Sequence, residues 1–319
     1  MVSIEQMSCD NSNFDLHGKK MGLELYPATA WFIIIILSAI FGDTIILIAS
    51  IKYKAFRLHD AIVVFIQHIA VCDLLMAITC IFPQIVSLIA NCWILGTAIC
   101  YINAYGPRLA FPVGLYLICT MTITKLILLK YPLKARHLSG KQAHMMCAGI
   151  WVFACYYPGT LLLVDKDDIH FDFKIYTCVY AYSDEKKWKL LKALVLGLLS
   201  IVPTIIIVCI SFLLVKYMLK ARRVSRRCDG SFRWKGVGTV LLTATTFILS
   251  SAPLTIYNLV PKGTEENNVH FYRIAYSFMY FSVSANCFIY YFTVPSFREF
   301  LKKKIRHALS HNKIHGKTF

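Results

Sequence analysis

Residues 28–51 read ATAWFIIIILSAIFGDTIILIASI, an apolar run with a single acid, Asp43. A helix rising about 1.5 Å per residue needs about 20 such residues to cross hydrocarbon, so this stretch can span a bilayer. Backbone groups in lipid are satisfied only within helices or closed barrels, and runs this long exceed barrel strands. Six comparable stretches follow, namely 61–84, 97–129, 143–164, 190–218, 236–260 and 271–293. The sequence therefore predicts an all-α membrane protein with a seven-transmembrane helix bundle.

Composition excludes several classes of protein. Hydrophobic residues make up 57% of the 319 residues and charged residues 16%, whereas about a quarter of a soluble domain is charged. The net charge of +17 does not indicate a nucleic-acid partner, because the basic residues are spread over short loops. The sequence contains no Gly-x-Ser-x-Gly, phosphate-binding glycine loop or His-Glu-x-x-His motif, so we expect no enzyme. It also lacks CxxC pairs and its histidines are scattered, so we expect no metal centre.

The distribution of lysine and arginine predicts the topology. With the N-terminus outside, 23 of the 34 basic residues fall at the inner ends of the spans or in the inner loops and tail. Basic residues near span ends favour the cytoplasm, so we expect the N-terminus outside and the C-terminus inside. The predicted organisation is an extracellular tail at 1–27, a seven-transmembrane domain at 28–293, and a cytoplasmic amphipathic helix and tail at 294–319.

The segment after the last span has helical periodicity. Phe297, Phe300, Leu301, Ile305 and Leu309 recur on one face, and basic residues such as Lys302 lie opposite. This pattern predicts a short interfacial helix that binds anionic membrane lipids. The alternative is a solvated basic tail.

A series of short motifs occurs in a familiar order. They are Gly42-Asp43, Leu74 preceded by Ala70 and Asp73, Trp93 with Gly96 and Cys100, Lys130-Tyr131-Pro132-Leu133, Trp151, Pro203, Pro253, Asn286 with Tyr290, and Phe297-Arg298 with Phe300. In this order and spacing they resemble the rhodopsin-like (class A) G-protein-coupled receptors. The resemblance implies a plasma-membrane receptor that binds an extracellular ligand within the bundle, either a peptide or a small mediator, with anionic mediators included. It also implies a heterotrimeric G protein as partner.

The resemblance assigns activation and G-protein coupling to Thr124, Lys125, Phe247, Pro253, Asn286 and Tyr290. Four of the family's motifs are altered. Thr124-Lys125-Leu126 replaces Asp-Arg-Tyr, and Ser251, Ser211 and Cys287 replace the family's tryptophan, tyrosine and proline. Lysine lacks the planar guanidinium fork, and Thr124 offers no carboxylate. An atypical chemosensory or non-signalling receptor is therefore an alternative.

Two acids lie inside predicted spans. A charge there is costly, so Asp43 and Asp73 should face inward and find partners. The resemblance places them near Ser282 and Asn286 as an ion or proton site, and in relatives the carboxylate matching Asp73 often binds sodium. One alternative is a neutral Asp43 that replaces the family's asparagine, and the other is a coupled pair that shares a proton. Intramembrane charges also favour, more weakly, an ion- or proton-coupled transporter.

Arg108 is a further intramembrane charge, in a span with Pro107 and Pro112. It could bind a ligand carboxylate or phosphate in a bidentate manner. Alternatively it extends to the interface or pairs with an acid such as Asp168. The resemblance adds Tyr280 as a ligand contact at the position of the opsin retinal lysine, which excludes a retinal pigment, and Pro107 disfavours an amine ligand.

The resemblance also identifies a disulfide between Cys100 and Cys178. Cys9 and Cys92 form a candidate second bridge in an oxidising compartment. No cofactor is expected, apart from a sodium ion at Asp73.

Overall fold

The computed structural model describes residues 22–53, 56, 59–131, 138–164, 169–180, 200–224, 236–259 and 266–315. These residues contain eight helical segments and one β-hairpin. The helices are α1 (Gly22–Ile51), α2 (Asp60–Ala90), α3 (Gly96–Lys130), α4 (Gly140–Val164), α5 (Val202–Val224), α6 (Val237–Leu259), α7 (266–293) and α8 (Pro295–His315). The hairpin consists of β1 (Ile169–Asp172) and β2 (Thr177–Tyr180).

Five helices in the described part of the chain are long and apolar enough to cross a membrane, namely α1, α2, α3, α5 and α6. The predicted fourth span lies in α4. The predicted seventh span is divided at Tyr280 into helices of 14 and 13 residues, Glu266–Met279 and Phe281–Thr293. Either half alone is shorter than a bilayer crossing requires. The fifth helix continues to Val224, beyond the predicted end at 218, while residues 190–199 lie outside the described ranges.

Helix α3 is the centre of the bundle. It packs against α2, α4, α5, α6 and both strands, and α1 contacts α2 and α7 at the periphery. Large apolar side chains such as Phe41, Phe212 and Phe292 point outward and are 64%, 69% and 70% exposed. An apolar exterior around a packed interior is what a lipid-embedded helix bundle requires.

Helix α2 contains a π-helical turn at Ala77–Ile81. Such a turn accommodates one extra residue and weakens the local ladder of backbone hydrogen bonds. Gly106 of α3 lies against this turn, and a Cβ atom at Gly106 would come within 2.5 Å of Thr79 Oγ1. The absence of a side chain at Gly106 therefore allows α2 and α3 to approach closely at the turn.

The two strands form a short antiparallel hairpin in which Ile169 pairs with Tyr180 and Asp172 with Thr177. A disulfide joins Cys178 of β2 to Cys100 of α3, which confirms the predicted bridge. The Gln84 side-chain amide of α2 also donates to the Ile175 carbonyl in the hairpin turn at 2.7 Å. We call this side of the bundle the hairpin end, and the opposite side, where α8 begins, the α8 end.

At the α8 end, the ring of Phe56 lies between two aromatic side chains. Its centroid is 5.8 Å from that of Tyr290 in α7 and 4.9 Å from that of Phe297 in α8. Lys304 of α8 donates to the Tyr53 hydroxyl at 2.9 Å. These contacts attach the first turns of α8 to the segment that follows α1, with Phe297 buried and Lys302 to Lys304 exposed.

Candidate functional site

Asp73 and Asn286 meet in the interior of the bundle. The Asn286 side-chain amide of α7 donates a hydrogen bond to Asp73 Oδ2 of α2. Asp43 of α1 is 1% exposed, it interacts electrostatically with Asp73, and neither of its carboxylate oxygens has a hydrogen-bond partner among the described residues. Three of the four residues expected at this site are therefore neighbours. Ser282 is not hydrogen-bonded to them, since its hydroxyl donates to the Met279 carbonyl of its own helix at 3.3 Å.

Two glycines allow side chains to close around this interior. A Cβ at Gly42 would lie 2.7 Å from Cys287 Cβ, so α1 and α7 touch beside Asp43. At Gly114 of α3, the nearest atom is Phe247 Cε2 of α6, at 3.4 Å from an ideal Cβ. The Phe247 ring also stacks on Phe111, with centroids 5.3 Å apart. An aromatic ring thus packs against Gly114.

Arg108 lies beneath the hairpin and inside the bundle. Its guanidinium carbon is 4.3 Å from the centre of the Tyr180 ring in β2, a cation–π geometry. One guanidinium nitrogen, Nη1, donates to the Ala104 carbonyl of the same helix at 3.0 Å. Asp168, the other partner considered from the sequence, lies outside the described residues.

Tyr280 is fully buried at the break in α7. Its hydroxyl donates to the Tyr276 hydroxyl at 3.2 Å, and its ring meets Phe32 of α1 edge to face. Tyr276 in turn meets Tyr272 edge to face with centroids 6.1 Å apart, and Tyr272 stacks on Tyr257 of α6 with centroids 4.7 Å apart. A column of tyrosines therefore runs along α7 from the hairpin end to the middle of the bundle.

Asn103 has a central role that the motifs did not indicate. Its side-chain oxygen accepts from Thr177 Oγ1 at 2.6 Å and from the Cys178 backbone N–H at 2.9 Å. Its amide nitrogen donates to the Thr79 carbonyl at 3.1 Å and to the Cys80 carbonyl at 3.4 Å. One buried amide thus joins α3, the hairpin and the π-helical turn. Its polarity within an apolar span, one turn after Cys100, was the available signal.

The residues assigned to activation lie toward the α8 end and in α6. Thr124 and Lys125 of α3 are both buried. Lys125 is close enough to influence His59, the N-cap of α2. Burial lowers the pKa of His59, the Asp60 carboxylate partly opposes this, and the charge of Lys125 lowers the pKa further. A neutral His59 is consistent with its capping role, because its Nδ1 accepts from the Ala61 N–H at 3.3 Å.

Helices α6 and α7 are joined near the same end. The Thr239 hydroxyl donates to Thr293 Oγ1 at 2.9 Å, and Thr293 donates to the Ile289 carbonyl at 2.7 Å. Tyr290 is buried against Phe56. Pro253 lies inside α6, two residues after Ser251, whose hydroxyl donates to the Ile248 carbonyl of its own helix. The expected coupling residues therefore occupy the interior of the α8 half and of α6.

Residues 42–290 match the sequence profile of the family described as "7 transmembrane receptor (rhodopsin family)". The chain belongs to this family. It is a multi-pass membrane protein of the G-protein-coupled receptor class rather than an enzyme.

Similar receptors include peptide and lipid-mediator receptors. The chain is 28% identical to the QRFP-like peptide receptor of Branchiostoma floridae over 50% of this chain and 41% of that protein. It is 28% identical to the RYamide receptor of Drosophila melanogaster over 46% of this chain and 32% of that protein. It is also similar to the human cysteinyl leukotriene receptor 1, with 23% identity over 85% of this chain and 82% of that protein. The matches to the first two receptors span less than half of their length.

Proposed function

We propose that this receptor binds an extracellular ligand at the hairpin end of a seven-transmembrane bundle and signals to a heterotrimeric G protein at the α8 end. In this proposal residues 1–27 are extracellular, residues 28–293 form the membrane domain, and residues 294–319 are cytoplasmic. The plasma membrane is the expected location. The excess of lysine and arginine in the inner loops supports this orientation, as does the disulfide at the hairpin end, since disulfides persist outside the cytosol.

The observation that carries the ligand proposal is Arg108, stacked on Tyr180 beneath the tethered hairpin. A guanidinium at the base of a pocket can form a bidentate pair with a carboxylate or phosphate. Tyr280, which continues the tyrosine column below it, is the second proposed contact. A peptide with an acidic group or a small anionic mediator fits this arrangement, and the relatives named as peptide and leukotriene receptors are compatible with both.

The proposed coupling surface is the α8 end. The Thr239–Thr293 hydrogen bond joins α6 to α7 and would break if these helices separate. Lys125 and Tyr290 are buried in the same half of the bundle. The basic face of α8 would bind anionic lipids. The interior carboxylates Asp43 and Asp73 would hold a proton or, with Asn286, a sodium ion that competes with that proton.

A recruitment assay tests the proposal. Cells that express the receptor with each G-protein subtype would be exposed to acidic peptides and small carboxylate or phosphate mediators. Recruitment that is reduced by Arg108→Ala, at equal surface expression, is the expected result. Binding without recruitment in any subtype would favour the alternative of a non-signalling receptor, for which the Thr124-Lys125-Leu126 sequence is the specific observation. Ion flux in proteoliposomes would instead identify a transporter.

A further inference from the structure

A cleft of about 380 Å³ lies at the hairpin end between α1, the last turns of α2, the hairpin turn and α7. Its walls are mainly apolar and aromatic. The principal apolar lining residues are Trp31, Phe32, Leu88, Ile175, Ile274 and Phe278. Ile274 is 66% exposed and Phe278 38% exposed, so one wall is continuous with the outward face of α7. This cleft is distinct from the Arg108 position, which is not among the described lining residues.

The rim of the cleft is basic. Lys174, His270 and Arg273 line it, and none of the described lining residues carries a carboxylate. The Arg273 Nε–H donates to the Lys174 carbonyl at 2.6 Å, which uses one of five guanidinium donors and holds the group beside the hairpin turn. Asp172, an acid of the hairpin, accepts the Lys174 backbone N–H at 2.7 Å through Oδ1. Because the lining contains Lys174, His270 and Arg273 and no carboxylate, its charge favours an anionic ligand.

A buried polar atom lies at the wall of the cleft. Gln84 is 2% exposed, and its amide nitrogen donates to the Ile175 carbonyl at 2.7 Å. Its side-chain oxygen has no hydrogen-bond partner among the described residues. Buried acceptors are usually paired, so a ligand hydroxyl or amide N–H could complete this site after a small side-chain adjustment.

We propose that the cleft binds an amphipathic anion with a single apolar chain. The carboxylate or phosphate is held by Arg273 and Lys174, and the chain lies between Trp31 and Phe278. The cleft volume is near the lower end of the roughly 300–1,000 Å³ of small-molecule pockets, which suits one chain rather than two. This inference rests on the proposed receptor function and adds to it a second binding site, apart from Arg108, with its own ligand class. Such a ligand would touch Tyr276, which is hydrogen-bonded to Tyr280.

Photoaffinity labelling tests the inference with the full-length receptor in phosphatidylcholine nanodiscs. The probe is palmitic acid with a diazirine in its chain, and the uncharged control is the corresponding fatty alcohol. The acid should label peptides that contain Trp31 or Phe278, about tenfold more than the alcohol does, because only the acid pairs with the guanidinium. The Arg273→Gln variant should lose this preference and Arg273→Lys should keep part of it. Equal labelling by acid and alcohol in the wild type would overturn the inference.

A matched pair of variants tests the position. Ala28 lines the cleft, whereas Ala30, two residues along the same helix, is exposed and is not among the lining residues. Ala28→Trp should fill the cleft and abolish the acid-dependent labelling, and Ala30→Trp should leave it unchanged. Labelling that survives Ala28→Trp in a receptor of wild-type Tm would place the probe elsewhere and overturn the inference.

Competition experiments distinguish an anion that enters from solution from one that enters from the bilayer. Lysophosphatidic acid added from solution and lysophosphatidylglycerol included in the nanodisc each carry one acyl chain and should compete with the probe. Stronger competition by the first assigns the cleft to a free lipid anion, and stronger competition by the second assigns it to a bilayer lipid. Competition by neither would contradict binding of a headgroup anion.

Labelling measures binding without signalling, so a failure of labelling does not contradict G-protein recruitment. Conversely, labelling in a receptor that recruits no G protein isolates the failure to the signalling function.

Discussion

The backbone N–H of Cys178 donates to the side-chain oxygen of Asn103 at 2.9 Å, directly beside the disulfide that joins Cys178 to α3. The covalent link and the hydrogen bond act on the same strand residue. Because the Asn103 amide nitrogen also binds Thr79 in the π-helical turn of α2, the position of β2 is fixed relative to two helices at once.

Asn103→Leu should lower the free energy of unfolding substantially. It leaves the Thr79 carbonyl, the Thr177 hydroxyl and the Cys178 N–H without their partner, and each unsatisfied buried group costs roughly 1–3 kcal/mol. Thr177→Val removes only one of these bonds and should cost about 1 kcal/mol. Thermal unfolding of the solubilised receptor should give the highest Tm for wild type, a lower Tm for Thr177→Val and the lowest for Asn103→Leu. A Tm of Asn103→Leu equal to that of wild type would contradict this prediction.

The stacking of Arg108 on Tyr180 predicts an energetic coupling between them. In a double-mutant cycle with Arg108→Met and Tyr180→Leu, the coupling free energy of unfolding should be about 0.5–2 kcal/mol. Arg108→Lys should retain part of it. For an acidic ligand found by recruitment, Arg108→Ala should weaken binding by roughly 1.5–3 kcal/mol, as expected for a charged hydrogen bond. Equal affinity of Arg108→Ala, Arg108→Lys and wild type would show that the guanidinium does not contact the ligand.

Asp43 and Asp73 should behave as a coupled pair. Two neighbouring carboxylates in a low dielectric resist joint ionisation, so the pair should hold one proton, and sodium should compete with it. Asp43→Asn should strengthen the stabilisation by sodium, because Asp73 can then ionise without a second carboxylate nearby. Asp73→Asn should abolish it. The measurement is the Tm in sodium and in an equal concentration of choline across a range of pH. Identical titrations of wild type and Asp43→Asn would show that the two acids are independent.

Restoring the family pattern at the α8 end should change basal signalling. The double substitution Thr124→Asp with Lys125→Arg supplies a carboxylate and a planar guanidinium that can pair with each other. We expect the resting state to be held more firmly and ligand-free G-protein activation to fall. The single substitution Lys125→Arg provides the control without the acid. No difference in any G-protein subtype would support a receptor that does not couple.

Tyr53 should report whether α8 is docked. The hydrogen bond from the Lys304 ammonium, together with its charge, lowers the pKa of Tyr53 from its ordinary value. Lys304→Gln should therefore raise the pKa of Tyr53, so that its phenol ionises at a higher pH. The fluorine NMR signal of a fluorotyrosine at position 53 follows this titration. Lys303→Gln, at the neighbouring exposed position, serves as the control and should shift it less.

The apolar runs predicted the helices because a chain in lipid has few alternatives to a helix. The disulfide was predicted through the resemblance, since spacing alone does not pair cysteines that are 78 residues apart. Cys92 is disulfide-bonded as well, while Cys9, its expected partner, lies outside the described residues. The resemblance also placed Asp73 near Asn286, and these two side chains are hydrogen-bonded.

Several features of the site depend on contacts between helices and have no local signature. The break in α7 at Tyr280 has no proline or glycine beside it, so the sequence pattern did not predict it. The aromatic stacking of Arg108 on Tyr180 joins residues from α3 and the hairpin, whose relative position is set by the tertiary fold. The Gln84–Ile175 and Arg273–Lys174 bonds are long-range contacts of the same kind, and each uses a backbone carbonyl that no side-chain motif records.

The π-helical turn at Ala77–Ile81 has a consequence for how this receptor can change by insertion and deletion. Successive residues of an α-helix differ by about 100° in direction, so one additional residue in a turn rotates everything beyond it by about that angle. Deletion of one residue from the turn would leave Asp73 in place but turn Gln84 and Leu88 away from α7. A change of one residue in the length of this turn would thus replace the residues that α2 contributes to the cleft, Gln84 and Leu88, and would leave Asp73 in its present position.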